Sequence, residues 1–251
     1  MTANRFFIQK RLRESTSIYL GGHEHHHLSK VARIKPGDQV WLFDGSGNQY
    51  RSCVEEIGEK KTRLFVLERI QRKEPDVKIT LGQVILKAKN MDLVVQKATE
   101  LNTDVIVPVL SERTIVKIDG VQDKKRERWR RLAIEASKQC GRSTVPEIRE
   151  PLSLRSLIEK NSASKKLFLS ERGGTSLREI LMNPLNKKIG IPKSVILLVG
   201  PEGGWTEIEE QDMMDSCYEA VSLGSHTLRS ETAAIVSLAL ITHFWKNEDV
   251  S

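Results

Sequence analysis

The chain has 251 residues, with 40 Lys and Arg against 33 Asp and Glu for a net charge of +7, and 39% of its residues are hydrophobic. That length allows one large domain or two smaller ones, and it buries about 70–75% of the unfolded surface without a disulfide or metal staple. The composition excludes bulk disorder, no apolar run approaches the roughly 20 residues of a membrane span, and the scattered Cys53, Cys140 and Cys217 exclude a disulfide framework or a zinc ribbon.

The first residues lack the long apolar core of a secretion signal, so a reduced, cytoplasmic protein is expected. Arg5 to Ile8 and Ser17 to Leu20 read as extended, and His25 to Arg33 as a short helix. Gln39 to Phe43 is β-rich and closes on Asp44-Gly45, a turn signal. Tyr50 to Glu55 and Arg63 to Leu67 complete a compact β unit. Polar, proline-containing Gln71 to Asp76 marks a domain boundary, giving domains 1–72 and 73–251.

Beyond it, strands and helices alternate. Lys78 to Lys87 predicts a strand and Met91 to Leu101 a helix. Asp104 to Val109 predicts a strand whose Pro108 suggests an edge or bulge. Gln122 to Cys140 predicts a long helix with Trp129, Leu132, Ala133, Ala136 and Cys140 in the core and its basic residues outward. Lys166 to Leu169 predicts a strand and Ser176 to Leu181 a helix. Ser194 to Val199 is apolar throughout, as a strand covered on both faces would be. Thr206 to Cys217 follows as an acidic helix, Ala220 to Leu223 as a strand, and Ser230 to Trp245 as an apolar helix. The alternation predicts an α/β domain with a parallel sheet. No internal repeat stands out.

The charge is unevenly placed. It is +5 over residues 1–72, 0 over 73–120, +4 over 121–150 and −2 over 151–251. Concentrated positive charge favours a polyanion such as RNA, although a solvated helix face accounts equally for the run Lys124 to Arg131.

Two loops carry the chemistry, because ligands of open α/β sheets bind beyond the carboxyl ends of the strands. One is Gly200-Pro201-Glu202-Gly203-Gly204, which is neither a Walker A nor a dinucleotide fingerprint. The other runs from Leu223-Gly224-Ser225-His226-Thr227 to Leu228-Arg229-Ser230-Glu231-Thr232. Ser230 is a candidate N-cap and Glu231 suits a first helical turn, so structural capping explains both. Arg229 has no such explanation.

These loops, in this order, resemble the signature of the SPOUT superfamily of methyltransferases, and most closely the RsmE family, which methylates N3 of a uridine in bacterial small-subunit ribosomal RNA. Val95-Gln96-Lys97-Ala98-Thr99-Glu100-Leu101, Glu135 to Arg142 with Val145-Pro146-Glu147-Ile148, and His26 to Arg33 with Leu42-Phe43-Asp44-Gly45 extend the resemblance over almost the whole chain. It implies a PUA-like RNA-binding β-barrel followed by a SPOUT domain with a deep trefoil knot. It implies a homodimer acting on ribosomal RNA or the small ribosomal subunit, with no membrane role. It also implies S-adenosylmethionine as cofactor, held by three loops: Leu169, Ser170 and Glu171 with Arg172 and Gly173; Leu198, Val199, Gly200, Pro201, Glu202, Gly203 and Gly204; and Ser222, Leu223 and Gly224 to Leu228. One departure stands out: where the family has L-G-x-R-[IV]-L-R, this chain has His226-Thr227.

On this reading Arg229 is a catalytic candidate that stabilises negative charge on the uracil oxygens, and Glu231 is a candidate proton acceptor whose capping role competes. Arg5, His27, Arg33, Gln139, Arg142 and Arg172 are candidates to meet RNA. The run from His23 to His27 invites a metal reading, but no matching ligand group lies nearby in sequence and none is expected. Alternatives are a SPOUT enzyme for another RNA nucleotide, a non-catalytic RNA-binding relative, and a small-molecule nucleotide enzyme with an incidental basic surface.

Overall fold

A computed structural model describes residues 4–71, 77–114, 122–183 and 190–246. The predicted boundary at 71–76 lies, Gln71 apart, outside the described residues. The chain divides into two compact units, Met1–Glu74 with Ile134–Val145, and Pro75–Ala133 with Pro146–Ser251. A stretch from the middle of the chain thus belongs with the N-terminal unit.

The first unit is a five-stranded sheet ordered β1-β3-β4-β5-β2, where β1 is Arg5–Phe7, β2 Ser17–Gly21, β3 Gln39–Phe43, β4 Asn48–Ile57 and β5 Lys61–Gln71. β1 runs parallel to β3 and the other pairs are antiparallel. Side chains alternate across a strand, so one register decides the core. Pairing Ile18 with Leu64 and Leu20 with Thr62 buries all four, while Ser17, Tyr19 and Gly21 face out. Phe6, Leu28, Leu42, Tyr50 and Val66 complete this core. The predicted helix at 25–33 starts earlier, as Gly22–His26, and widens into a π-turn at His27–Val31 closed by Ala32 N–H to His27 O (2.8 Å). Arg33 ends it in the left-handed region, at φ 54°.

The helix Gln122–Cys140 contributes its last turns to this unit. Lys138, its side chain only 4% exposed, reaches Glu24 (2.6 Å) and Glu135 (2.9 Å). The one ammonium is shared by both carboxylates, which with His23 form the group nearest to a metal-ligand cluster among the described residues. His25 is buried, with its ring nitrogens on Thr62 Oγ1 (2.8 Å) and the Glu59 carbonyl (3.1 Å), so it serves the core. Trp129, Ala133 and Ala136 are buried as the periodicity predicts, but Leu132 is half-buried and Cys140 is exposed. The helix ends at Cys140, and Gly141 follows it with a positive φ of 79°.

The second unit is an all-parallel sheet ordered β11-β13-β10-β12-β6-β7-β8. Here β6 is Lys78–Val84, β7 Val105–Leu110, β8 Glu147–Ile148, β10 Lys165–Leu169, β11 Thr175–Ser176, β12 Ser194–Val199 and β13 Glu219–Ser222; β9, Leu152–Ser153, also pairs with β7. β7 and β12 are buried nearly throughout, the mark of strands covered on both faces. Val105, Val107, Val109, Ile196 and Leu198 pack with the helix Leu154–Lys160 and with Met213 of the helix Glu207–Asp215. Elsewhere the helix Ala88–Glu100 packs on the C-terminal helix Ser230–Trp245. Gly82 in β6 permits the fit with β12, since a Cβ there would stand 2.4 Å from Leu198 Cδ2.

Pro108 does not mark an edge. β7 is paired on both sides. Ile106 O accepts from Arg149, so by alternation position 108 also faces the β8–β9 side. β8 ends opposite Ile106 and β9 begins opposite Val109, and the absent proline N–H falls in the gap.

Candidate functional site

The carboxyl ends of β10, β12 and β13 open into a cavity of about 460 Å3. Each wall is a loop that leaves one of these strands. Leu169, Ser170, Glu171, Arg172 and Gly173 come from β10. Val199, Gly200, Pro201, Glu202 and Gly204 come from β12, and Ser222, Leu223, Gly224, Leu228 and Arg229 from β13 and its loop. The three loops that sequence singled out are therefore brought together in one place.

Two expected lining residues are absent from it. Leu198 is fully buried one residue below the cavity, inside the sheet core. Gly203 is turned away, its carbonyl accepting from the Arg113 guanidinium at 2.6 Å. Besides the rest of the third loop, Ser225, His226 and Thr227, the cavity includes Trp205, Val221, Ser230 and Ala233. Trp205 is 2% exposed and its indole N–H donates to Leu169 O (3.0 Å), tying the first loop to the second. Gly200 lets the ring sit close beneath, since a Cβ there would stand 3.1 Å from the indole and press it outward by a few tenths of an ångström. A tryptophan one residue past a glycine-rich turn was the signal available in the sequence for this contact.

The second loop is anchored at its far end by the helix Glu207–Asp215. Thr206 and Glu209 form a capping box, with Thr206 N–H donating to Glu209 Oε2 (2.9 Å) and Glu209 N–H to Thr206 Oγ1 (3.2 Å). Buried Glu210 accepts from Ser170 Oγ (2.9 Å) and lies 3.2 Å from Arg172 Nη1. Arg172, expected to meet RNA, thus stands at the cavity rim, paired with Glu210 and donating to Trp205 O (3.2 Å).

At the start of the C-terminal helix, the N-cap is Arg229 (φ −61°, ψ 148°), not Ser230, and it makes no side-chain capping bond. Ser230 is the first helical residue, and its hydroxyl bonds outward to the strands below. Arg229 is exposed at the cavity, and its guanidinium is held by no hydrogen bond or ion pair among the described residues. Glu231 does not line the cavity. It is 8% exposed, and its Oε2 has no hydrogen-bond partner among the described residues. His226 faces the cavity with Nδ1 3.0 Å from Ser225 Oγ.

The other candidates for RNA contact lie in the first unit. Arg5 is spent internally: it donates to Gln49 Oε1 (2.6 Å) and Arg142 O (3.1 Å), and lies over the Phe43 ring at 5.2 Å. His27 is half-buried, edge-on to Phe6 at 5.6 Å, and Arg142 donates to Thr144 Oγ1 (2.7 Å). Arg33 and Gln139 are exposed. In the basic helix, Arg126 pairs with Glu150 and Arg128 with Asp92, whereas Lys124 and Arg130 point to solvent.

One regularity was overlooked in the sequence. Leu110-Ser111-Glu112-Arg113 after β7 repeats as Leu169-Ser170-Glu171-Arg172 after β10, and the two copies sit at the same edge of the sheet.

The family description RNA methyltransferase domain matches residues 72–242, and RNA methyltransferase PUA domain matches residues 20–67. The chain is 28% identical over 249 residues to ribosomal RNA small subunit methyltransferase E of Bacillus subtilis, covering 95% of this chain and 96% of that protein. It is 33% identical to the protein of the same name in Mesomycoplasma hyopneumoniae, covering 93% and 96%. Among solved structures it is similar to a ribosomal RNA small subunit methyltransferase E from Neisseria gonorrhoeae bound to S-adenosyl methionine, with a TM-score of 0.85, 31% identity, and coverage of 97% and 98%.

Proposed function

Because the chain belongs to the ribosomal RNA small subunit methyltransferase E family of RNA methyltransferases, we propose that it transfers the methyl group of S-adenosylmethionine to N3 of a uridine in 16S ribosomal RNA. The observation that carries this reading is the cavity that three loops form together at the carboxyl edge of the parallel sheet.

The cavity suits the cofactor. Its volume lies within the usual range for small-ligand sites of about 300–1,000 Å3. Exposed Glu171 and Glu202 offer negative charge to a sulfonium and an ammonium group, and the glycine-rich turns expose backbone donors and acceptors. Leu169, Ser170, Val199 to Glu202, Gly204, Ser222 to Gly224 and Leu228 would hold it. When bound, it supplies a methyl group already electrophilic enough to need no metal.

The chain's own residues then have to stabilise the charge that develops on the base. Uridine N3 carries a proton and becomes nucleophilic as that proton passes to water, which shifts negative charge onto the flanking carbonyl oxygens. Among the described residues, Arg229 is the cavity guanidinium with no hydrogen bond or ion pair and so is available to take that charge, and its position at a helix start adds a positive dipole. Glu231 belongs to the helix start: buried outside the cavity lining, it complements the same dipole.

Residues 1–72 are assigned to gripping RNA and residues 73–251 to catalysis, a division supported by the two family matches and by the +5 charge of the first segment. The deep trefoil knot implied by the resemblance is assigned to the second. We place the protein in the cytoplasm, where its RNA is; no helix among the described residues is long and apolar enough to cross a membrane. The working form is a homodimer. Its support is an apolar surface on two helices that pack together, with Leu93, Val236 and Phe244 each 38% exposed.

The test is mass mapping of modified nucleosides in small-subunit ribosomal RNA from cells with and without the gene, followed by methylation with the purified protein and Arg229→Ala. Loss of N3-methyluridine without the gene, and its absence with the variant, is the expected result. A different nucleoside changing would assign another target, and full turnover by Arg229→Ala would remove it from the mechanism.

A further inference from the structure

We propose that Arg113 and Arg172, one from each copy of the Ser-Glu-Arg loop, form a clamp that holds the Gly203–Trp205 backbone and thereby sets cofactor affinity; this rests on the S-adenosylmethionine reading above. The sheet order β10-β12-β6-β7 puts the two copies on either side of the loop that follows β12. From one side Arg113 Nη1 donates to Gly203 O (2.6 Å) and Trp205 O (3.4 Å). From the other, Arg172 Nη1 donates to the same Trp205 O at 3.2 Å. The copies also divide an adjacent acid pair: Glu112 N–H donates to Glu209 Oε1 (2.9 Å), and Ser170 Oγ to Glu210 Oε1 (2.9 Å).

Arg113 does not line the cavity, so it acts through the loop and is a positioning residue. The physical need is clear from composition. Gly200, Gly203 and Gly204 make this wall costly to order, and a wall already ordered spares the ligand that cost. Both Arg113 bonds leave the same Nη1, which the planar guanidinium holds in a fixed direction, whereas a lysine ammonium on its flexible stem is aimed less firmly.

The experiment is calorimetric titration of S-adenosylmethionine into the full chain and into Arg113→Ala, Arg113→Lys, Arg172→Ala and the Arg113/Arg172 double alanine variant. RNA affinity and thermal unfolding are measured on the same samples. Arg113→Ala is expected to raise the cofactor Kd about tenfold while RNA affinity holds, and Arg113→Lys to restore only part. KM for the cofactor should rise by more than kcat falls. The double variant should lose less than the product of the single losses, because both arginines share Trp205 O. An unchanged Kd, or a loss confined to RNA affinity, overturns the clamp. If Arg113→Ala unfolds, Arg113→Gln, which keeps the stem and one donor group, carries the same expectation and the same refutation. Failure of the unaltered chain to bind S-adenosylmethionine would instead overturn the cofactor reading itself.

Discussion

The Ser230 hydroxyl donates to the Gly200 carbonyl across 2.5 Å and accepts from the Gln83 side-chain amide at 3.0 Å. The bond joins the first residue of the C-terminal helix to the glycine that opens the cavity loop, and Gln83, fully buried at the end of β6, anchors both. Ser230→Ala strips the Gly200 carbonyl of this donor and leaves Gln83 Nε2 with Val84 O alone. The expected cost is about 1–3 kcal/mol in urea unfolding. Weaker S-adenosylmethionine binding should accompany it, with Ser230→Thr recovering most of both. Equal cofactor affinity in Ser230→Ala would disconnect this bond from the site.

Asp44 makes the first unit sensitive to acid. Burial pushes its carboxyl up, but hydrogen bonds from Ser46 N–H and Oγ, Asn48 Nδ2 and Tyr50 Oη outweigh burial and hold it below its usual 3.8. A depressed carboxylate contributes stability above its unfolded pKa and loses it as pH falls through the folded value. Asp44→Asn should therefore be less stable than the unaltered chain at pH 7, with the gap closing below about pH 4. Denaturant midpoints at pH 7, 5 and 3 measure it, and a gap that does not narrow would be the adverse result.

Arg33 separates stability from binding. It sits at φ 54° after the π-turn, where Ile34 N–H bonds back to Leu28 O (3.1 Å) in the manner of a helix C-cap that favours glycine. Arg33→Gly should match or exceed the unaltered chain in stability, because relief of a left-handed residue offsets the added unfolded-state entropy. RNA affinity should fall, and the slope of log affinity against log salt should lessen by about one. Unaltered affinity and slope would exclude a phosphate contact there.

Val236 and Phe244 test the dimer. Each is 38% exposed on the C-terminal helix, so a charge at either site costs the isolated chain little. Val236→Glu and Phe244→Glu should halve the mass seen by light scattering and abolish methylation. A monomeric mass for the unaltered chain at micromolar concentration would refute the assignment directly.

The legible parts of the sequence were those set by local pattern. The helix Ser230–Trp245 was read to the residue from its Ser-Glu start and the apolar run that follows, and Ser194–Val199 because burial on both faces leaves no polar interruption. The cavity loops were legible because each follows a strand of a parallel sheet. What escaped depended on partners distant in sequence. Pro108 looked like an edge until β8 and β9 were seen to leave a gap for it. Arg5 looked like an RNA contact until Gln49 and the Arg142 carbonyl claimed it. Arg113 gave no local sign of its task, since Gly203 lies 90 residues away and meets it only through the strand order.

Residues 134–145 complete the N-terminal unit: Val145 N–H bonds to Gly45 O (3.0 Å), Gly47 N–H to Ser143 O (3.2 Å), and Lys138 to Glu24. During synthesis, then, the first barrel strands wait with an unfinished wall until residue 145 has cleared the exit tunnel, by which time the opening strands of the second sheet are already out. A fragment ending near residue 72 would be missing that wall however carefully its boundary were chosen. Separate expression of this unit calls for grafting the later segment back by a short linker.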